Sequence, residues 1–356
     1  MKSRKKQKII FVIVSMAGGG AERVIAILAN QFIKKGRAVA IMMTAGDDVA
    51  YRLDSQIELI SMGGTSGGSM LARVERMKKM RKYFRKNPDA TIISFGPGTS
   101  FFAVAASAFL KNPRIISERN DPKACEHPHL RNLVYSRGDY LVCQTQMAMR
   151  EFPQFLQKKA RVIENPITGD LPPRFQGTRT KRIVAVGRLE QQKNHRLLLE
   201  AFARFQIKHP DYRLHIYGKG GLEEELKTYA ERLKIDAWVI WEGFKKNVLE
   251  EIRDASLYVL SSDFEGISNS LMEAMGLGLP VISTDCPIGG SRMCIENGEN
   301  GILVPVGDVE AMYQAMCKLA EDSLLAEQMA EKAYEIRQKY SEENISRRWL
   351  EVVDSI

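Results

Sequence analysis

Short apolar runs alternate along this chain with longer stretches in which apolar residues recur every three to four positions. Ile9 to Val14 is a continuous apolar run, the pattern of a buried strand. Ala21 to Lys35 follows with Val24, Ile27, Leu28 and Phe32 on one helical face and Gly36 as its stop. Val39 to Met43, Ile92 to Phe95, Arg114 to Ser117 and Tyr140 to Cys143 read as further strands. Met70 to Lys86 reads as a helix with Leu71, Val74, Met77, Met80 and Phe84 facing one way. Strands alternating with helices predict a parallel sheet covered by helices on both faces.

The rhythm breaks between Asn165 and Lys181, where Pro166, Gly169, Pro172, Pro173 and Gly177 interrupt any apolar face. A second alternating series then begins. Ile183 to Val186, Arg213 to Tyr217, Trp238 to Trp241, Leu257 to Leu260 and Val281 to Ser283 are its strands. His195 to His209, Leu222 to Leu233, Ser270 to Gly276 and most of Val309 to Tyr340 are its helices. The last segment, Glu342 to Val353, carries Ile345, Trp349, Leu350 and Val353 on one face. The expected organisation is an α/β domain over 1–166, a linker over 167–180 and a second α/β domain over 181–341. In such open sheets ligands bind outside the C-terminal ends of the strands.

The chemistry-bearing residues lie where strands give way to helices. The first stretch runs from Ser261 to Gly276. Glu273 sits among Leu271, Met272, Ala274 and Met275, so its carboxylate is drawn toward the interior. That position needs good donors, such as the vicinal hydroxyls of a ribose. Glu265 lies on the loop before the helix, within reach of a sugar or its developing charge. A helix-start carboxylate with an ion pair would have the same sequence. The second stretch is Val186-Gly187-Arg188-Leu189-Glu190-Gln191-Gln192-Lys193-Asn194. Gly187 permits close backbone approach, and Arg188 and Lys193 together can clamp a diphosphate; a solvated basic turn is the plainer alternative. The third, Gly18-Gly19-Gly20 before Ala21-Glu22-Arg23, offers helix N-terminal amides to an anion. It fits neither the dinucleotide fingerprint nor a Walker loop. Tyr217-Gly218-Lys219-Gly220-Gly221 is another glycine-rich strand end.

Taken in order, Gly-Gly-Gly-Ala-Glu, Gly-Arg-x4-Lys, Glu265-x7-Glu273 and Asn297-Gly-x-Asn-Gly-x-Leu-Val304 resemble the retaining glycosyltransferases of family 4. The resemblance spans nearly the whole chain. It implies the GT-B fold, two facing Rossmann-like domains with a cleft between them, and a last helix (342–356) that packs back on the first domain. It implies that Arg188 and Lys193 bind the donor diphosphate, that Glu265 lies beside the donor sugar and that Glu273 binds the ribose. Gly187, Gly218, Asn269, Ser270 and Leu271 would present backbone to the donor, as would Gly18, Gly19 and Gly20. Many members carry a His after the strand that matches Arg114 to Ser117. Here Glu118 and Arg119 stand on that acceptor-side loop. After Gly289-Gly290, where members often place an acid, Ser291-Arg292-Met293 follow.

The implied function is transfer of a sugar from a nucleotide-diphosphate sugar, expected to be a UDP-sugar, to a glycan or lipid-linked saccharide in cell-surface polysaccharide synthesis. Negative charge builds on the departing diphosphate, and Arg188, Lys193 and helix amides can stabilise it. No Asp-x-Asp occurs, so no metal and no other cofactor is expected. A nucleotide-sugar epimerase or a sugar phosphorylase of similar fold would share the phosphate-binding residues.

Composition narrows the picture further. The five cysteines include no Cys-x-x-Cys pair, and only five His accompany them, so neither a disulfide framework nor a structural zinc site is suggested. No apolar run approaches the roughly 18 residues of a membrane span, and a cytoplasmic setting is expected. Charge is uneven along the chain. Residues 1–170 hold 28 Lys and Arg against 14 Asp and Glu, and the remainder 24 against 29, within an overall +9. The basic half favours anionic partners. The helix Met70 to Lys86 suits peripheral contact with an anionic membrane on its inner face, although a solvated basic surface reads the same. A nucleic-acid reader would interleave aromatic and basic residues within a recognisable motif; none is present, and no nucleic-acid partner is expected.

Overall fold

The apolar runs become two parallel sheets. The computed structural model describes residues 7–63 and 69–356. It divides the chain into unit 1, Met1–Pro166 with Glu342–Ile356, and unit 2, Ile167–Ser341. Unit 1 contains β1 (Ile9–Ile13), β2 (Val39–Met43), β3 (Glu58–Ser61), β4 (Thr91–Phe95), β5 (Arg114–Ser117), β6 (Tyr140–Cys143) and β7 (Ala160–Val162). They lie in the order β3-β2-β1-β4-β5-β6-β7, all parallel. Unit 2 contains β8 (Thr180–Val186), β9 (Arg213–Tyr217), β10 (Val239–Gly243), β11 (Ala255–Leu260), β12 (Val281–Thr284) and β13 (Ile302–Val304). Their order is β10-β9-β8-β11-β12-β13, again all parallel.

Each unit therefore has the doubly wound layout, in which the strand order reverses beside the first strand. The reversal falls between β1 and β4 in unit 1 and between β8 and β11 in unit 2. Central strands are buried at every position: β1 and β2 are wholly apolar, and β4 adds only the buried hydroxyls of Thr91 and Ser94. β3, β7 and β13 have no counterpart in the sequence reading. They are three or four residues long, and β3 is a mostly exposed edge strand. So short a segment carries little periodic signal.

Helices cover both sheets. In unit 1, α1 (Gly20–Lys34) buries Val24, Ile27, Leu28 and Phe32. α2 (Met70–Lys86) differs from expectation at its inner face. Arg76, Met80 and Phe84 are its buried residues, whereas Leu71 is 78% exposed. The face rotates because Arg76 reaches inward and donates to the Thr44 carbonyl at 2.9 Å. α3 (Pro97–Ala106) follows β4. The final helix, Glu342–Asp354, belongs to unit 1 and buries Ile345, Trp349 and Val353. Trp349 is wholly buried and its ring stacks on Phe95 at 5.8 Å. Arg348 donates to the Val162 carbonyl at 2.6 Å, and Arg37 pairs with Asp354.

The segment expected to link the domains lies on unit 2. Ile167 N–H bonds the Tyr340 carbonyl at 2.8 Å, Leu171 is buried, and Arg337 donates to the Pro172 carbonyl. Arg179 donates to the Gly278 carbonyl at 2.6 Å. Prolines and glycines remove periodicity without removing these anchors. Among the described residues no helix is long and apolar enough to cross a membrane.

Because Trp349 fills the space beside Phe95, Trp349→Ala leaves a large cavity. The expected loss of stability is about 3–5 kcal/mol, read as a lower denaturant midpoint by circular dichroism.

Candidate active site

β8 and β11 are neighbours in the sheet, so the loops that leave them lie side by side. The loop after β8 runs through Gly187, Arg188 and a short turn, Gln191–Lys193. The next residue, Asn194, has left-handed backbone, with φ 42° and ψ 52°, a region that asparagine tolerates better than most residues. There it caps the helix His195–Lys208, its Oδ1 accepting from Leu197 N–H at 3.1 Å. Its Nδ2 donates to Asp263 Oδ1, on the loop after β11, at 2.6 Å. Further bonds sew the two loops together. Asp263 N–H donates to the Gln192 carbonyl at 2.9 Å, Gln192 Nε2 to the Phe264 carbonyl at 2.9 Å, and Ser261 Oγ to the Lys193 carbonyl at 2.9 Å.

This seam brings Lys193 and Glu265 into a direct ion pair, Nζ to Oε1. Both side chains are largely buried, at 14% and 11% exposure. The Lys193 stem runs along Gly187, where an added Cβ would lie 3.3 Å from Lys193 Cε. Glu265 Oε1 also accepts from Ser262 Oγ at 3.0 Å. The Ser262 carbonyl is fixed in turn by Thr284 Oγ1 at 2.6 Å and Cys286 Sγ at 3.3 Å. Burial pushes the Cys286 thiol up to about 12, so it stays protonated and donates. Ser262, Asp263 and Asn194 lie within the two stretches but receive no role there, and Thr284 and Cys286 lie outside them; their part appears only once the strand ends are adjacent.

Glycines set the close packing around this seam. Gly218 has φ +144°, and a Cβ there would fall 1.8 Å from the Gly187 carbonyl oxygen. At Gly290 a Cβ would fall 1.7 Å from the Gly266 oxygen, so the Glu265 loop rests directly on the turn after β12. The helix Asn269–Gly276 buries Leu271, Met272, Glu273 and Ala274, with Glu273 at 5% exposure. Ser270 Oγ accepts from Tyr258 OH at 2.8 Å. Arg188 behaves differently from Lys193. Its side chain is 66% exposed and pairs with Glu190 at 3.0 Å, while its carbonyl meets His195 Nε2 at 3.3 Å. Arg292, shortly after Gly289-Gly290, is paired with Asp285.

The remaining candidates lie in unit 1. Gly18 has φ +128°, and the Gly19 carbonyl accepts from Tyr51 OH at 2.8 Å. Glu118, on the loop after β5, is buried, and its Oε2 accepts from Tyr135 OH at 2.8 Å. Burial pushes the Glu118 carboxyl pKa above the ordinary carboxylate range. Arg119 donates to Asn165 Oδ1 and to Ser117 Oγ at 3.3 Å, and it lies over the Phe95 ring at 5.0 Å. Burial lowers the Arg119 guanidinium to about 9.

Residues 173–336 match the family of glycosyl transferases group 1. A Campylobacter jejuni N-acetylgalactosamine-N,N'-diacetylbacillosaminyl-diphospho-undecaprenol 4-alpha-N-acetylgalactosaminyltransferase is 27% identical, over 92% of this chain and 94% of that protein. A second C. jejuni enzyme, a GalNAc-alpha-(1->4)-GalNAc-alpha-(1->3)-diNAcBac-PP-undecaprenol alpha-1,4-N-acetyl-D-galactosaminyltransferase, is 25% identical over 98% of this chain and 99% of its own length. Among solved structures, Anabaena HepE with UDP and glucose superposes with a TM-score of 0.86, at 17% identity over 98% of this chain and 100% of that one. Staphylococcus aureus TarM does so with a TM-score of 0.84, at 15% identity over 99% of each chain. These likenesses identify the fold as GT-B.

The buried His195 beside Arg188 titrates out of its normal range. Burial lowers it to about 4, the Arg188 carbonyl opposing that effect. In the unfolded chain it protonates near 6.5, so acid favours the unfolded state. The stability it contributes is complete above about pH 6.5 and is lost as pH falls toward about 4. Wild type is expected to lose ~3 kcal/mol more than His195→Gln over that window, measured by urea titrations at both ends.

Proposed function

Because the chain is a glycosyltransferase of GT-B fold with a group 1 domain over residues 173–336, we propose that unit 2 binds a UDP-sugar and that the enzyme is a retaining transferase of family 4. The acceptor is a lipid-linked saccharide of cell-surface polysaccharide synthesis, and unit 1 recognises it. The donor assignment draws support from the Anabaena structure with UDP and glucose. The acceptor assignment draws support from the names of the two Campylobacter enzymes, both of which act on diphospho-undecaprenol-linked sugars.

The observation that carries the reading is the Lys193–Glu265 pair, held where the sheet of unit 2 reverses. Open α/β sheets receive ligands at such a reversal. When the anomeric C–O bond breaks, the electron pair leaves with the diphosphate. Lys193 is proposed to receive that charge, with Arg188 swinging from its exposed position beside Glu190 to join it. The Glu265 carboxylate then faces the electron-poor anomeric carbon. The buried Glu273 accepts from the ribose hydroxyls. Backbone at Gly187, Gly218, Asn269, Ser270 and Leu271 lines the donor, and the Gly18-Gly19-Gly20 turn of unit 1 offers helix N-terminal amides to an anion. Glu118 and Arg119 serve the acceptor side. Two cations and helix amides supply the positive charge the leaving group needs, so the proposed reaction requires no metal.

The test uses UDP-N-acetylhexosamines and UDP-hexoses with an undecaprenyl-diphosphate-linked saccharide. UDP release that depends on acceptor, with a lengthened saccharide by mass spectrometry, is the expected outcome. Interconversion of the sugar without UDP release would mean an epimerase, and dependence on inorganic phosphate a phosphorylase. Lys193→Ala and Arg188→Ala are each expected to cut turnover at least about 100-fold, the cost of removing one donor to a developing anion, with the circular dichroism spectrum unchanged. UDP-sugars are expected to raise the melting temperature more than GDP-sugars do.

A further inference from the structure

Two helices of unit 2, His195–Lys208 and Val309–Glu321, pack against each other. Phe205, Met312, Tyr313 and Met316 belong to the core beneath them, and Arg204 pairs with Glu310 across their rim at 2.6 Å. Three groups able to bind a metal meet at one end of this interface. His209 closes the first helix, and Cys317 and Glu321 lie one turn apart at the end of the second. Their imidazole nitrogen, sulfur and carboxylate oxygen lie within 4.8 Å of one another. His209 Nε2 stands 3.2 Å from Glu321 Oε1.

That spacing suits a tetrahedral ion. Zinc bonds of about 2.1 Å to nitrogen and oxygen set two such ligand atoms roughly 3.4 Å apart. Cys317 and Glu321, four residues apart, share one helix face, the spacing by which a helix presents two ligands to one ion. The imidazole is held in place, stacked on the Phe205 ring at 4.5 Å and edge-on to Tyr212 at 5.9 Å. Cys317 is buried, His209 half-buried and Glu321 exposed, so an ion can enter past the carboxylate while the sulfur stays shielded. Lys208, the neighbouring cation, lies over the Tyr313 ring at 5.4 Å and is exposed, so it can turn into water when a dication arrives. A hydrogen bond between His209 and Glu321 alone would account for two of the three groups. The buried thiol beside them is what gives the cluster its metal-binding character. No motif announces the set, because His209 and Glu321 are 112 positions apart.

We propose that His209, Cys317 and Glu321 form a zinc site that staples these two helices together, with water in the fourth position. A sulfur and an imidazole select zinc over magnesium and calcium, which take oxygen ligands. On binding, the sulfur loses its proton to solvent and the zinc–sulfur bond takes its place. The site is remote from the proposed chemistry. Asn194, next to Lys193, caps one end of a 14-residue helix and His209 closes the other, a length of about 21 Å. The ion therefore takes no part in sugar transfer, and the proposal does not depend on the donor reading.

Titration of the chelator-stripped full chain with Co²⁺, Zn²⁺ and Mg²⁺ tests it. One equivalent of Co²⁺ is expected to produce a sulfur-to-cobalt charge-transfer band, which Zn²⁺ then displaces. Zn²⁺ at a hundredfold excess over its Kd should raise the melting temperature by about 5 °C or more, and Mg²⁺ should leave it unchanged. Cys317→Ser should abolish the band. Cys317→Ser and His209→Gln should each weaken zinc at least about 100-fold, more than the loss of an outer hydrogen-bond partner does. Glu321→Gln changes an exposed side chain and should weaken zinc about tenfold with the fold intact. Cys125→Ser should leave band and affinity as they are. The absence of a band, or a band that persists in folded Cys317→Ser, would overturn the proposal. So would a zinc-dependent rise in melting temperature that is the same in His209→Gln and Glu321→Gln as in wild type, a comparison that decides the matter even where Cys317→Ser fails to fold.

Discussion

The ion pair between Lys193 and Glu265 joins residues 72 positions apart, and it exists because β8 and β11 are hydrogen-bonded neighbours. In a doubly wound sheet the chain leaves one strand for one edge and returns to build the other half, so the two strands at the reversal carry loops that no crossover covers. Everything proposed for unit 2 depends on that arrangement. The loops meet, exchange backbone and side-chain hydrogen bonds, and hold a cation and a carboxylate in contact with little water. A charge pair this far from water is costly unless its remaining hydrogen bonds are satisfied. Ser262 supplies one, and Thr284 and Cys286 fix Ser262 in turn.

Close steric approach is the second constraint. The ends of β8 and β9 touch through Gly187 and Gly218, and the Glu265 loop touches the turn after β12 through Gly266 and Gly290. Side chains at Gly218 or Gly290 would occupy the space of a carbonyl oxygen. The Lys193–Glu265 pair is therefore packed against closely apposed strand ends, an arrangement suited to preorganised charged groups.

Unit 1 uses the same sheet for a different electrostatic purpose. Its buried polar residues, Glu118 with Tyr135 and Arg119 with Asn165, are turned into the protein near the end of β5. Its excess positive charge is gathered outside, along α2, where no partner among the described residues neutralises it. Unit 2 is mildly acidic, and Lys193, on the loop after β8, is paired with Glu265. The division of charge along the sequence thus corresponds to two structurally separate units.

The sequence by itself determined the two alternating series and most of their central strands, because a strand buried on both faces is mostly apolar. It also singled out the loops after β8 and β11, since Gly-Arg-x4-Lys and Glu-x7-Glu each follow a strand. Only the tertiary structure decided the pairing of Lys193 with Glu265, the supporting roles of Asn194, Asp263 and Ser262, and the attachment of residues 167–180 to unit 2. It also turned Arg76 inward and left Leu71 and Phe109 outside. Periodicity reports which face of an element is apolar. It does not report which neighbour that face will meet, and contacts between residues far apart in the chain arise only when sheet order places their strands side by side.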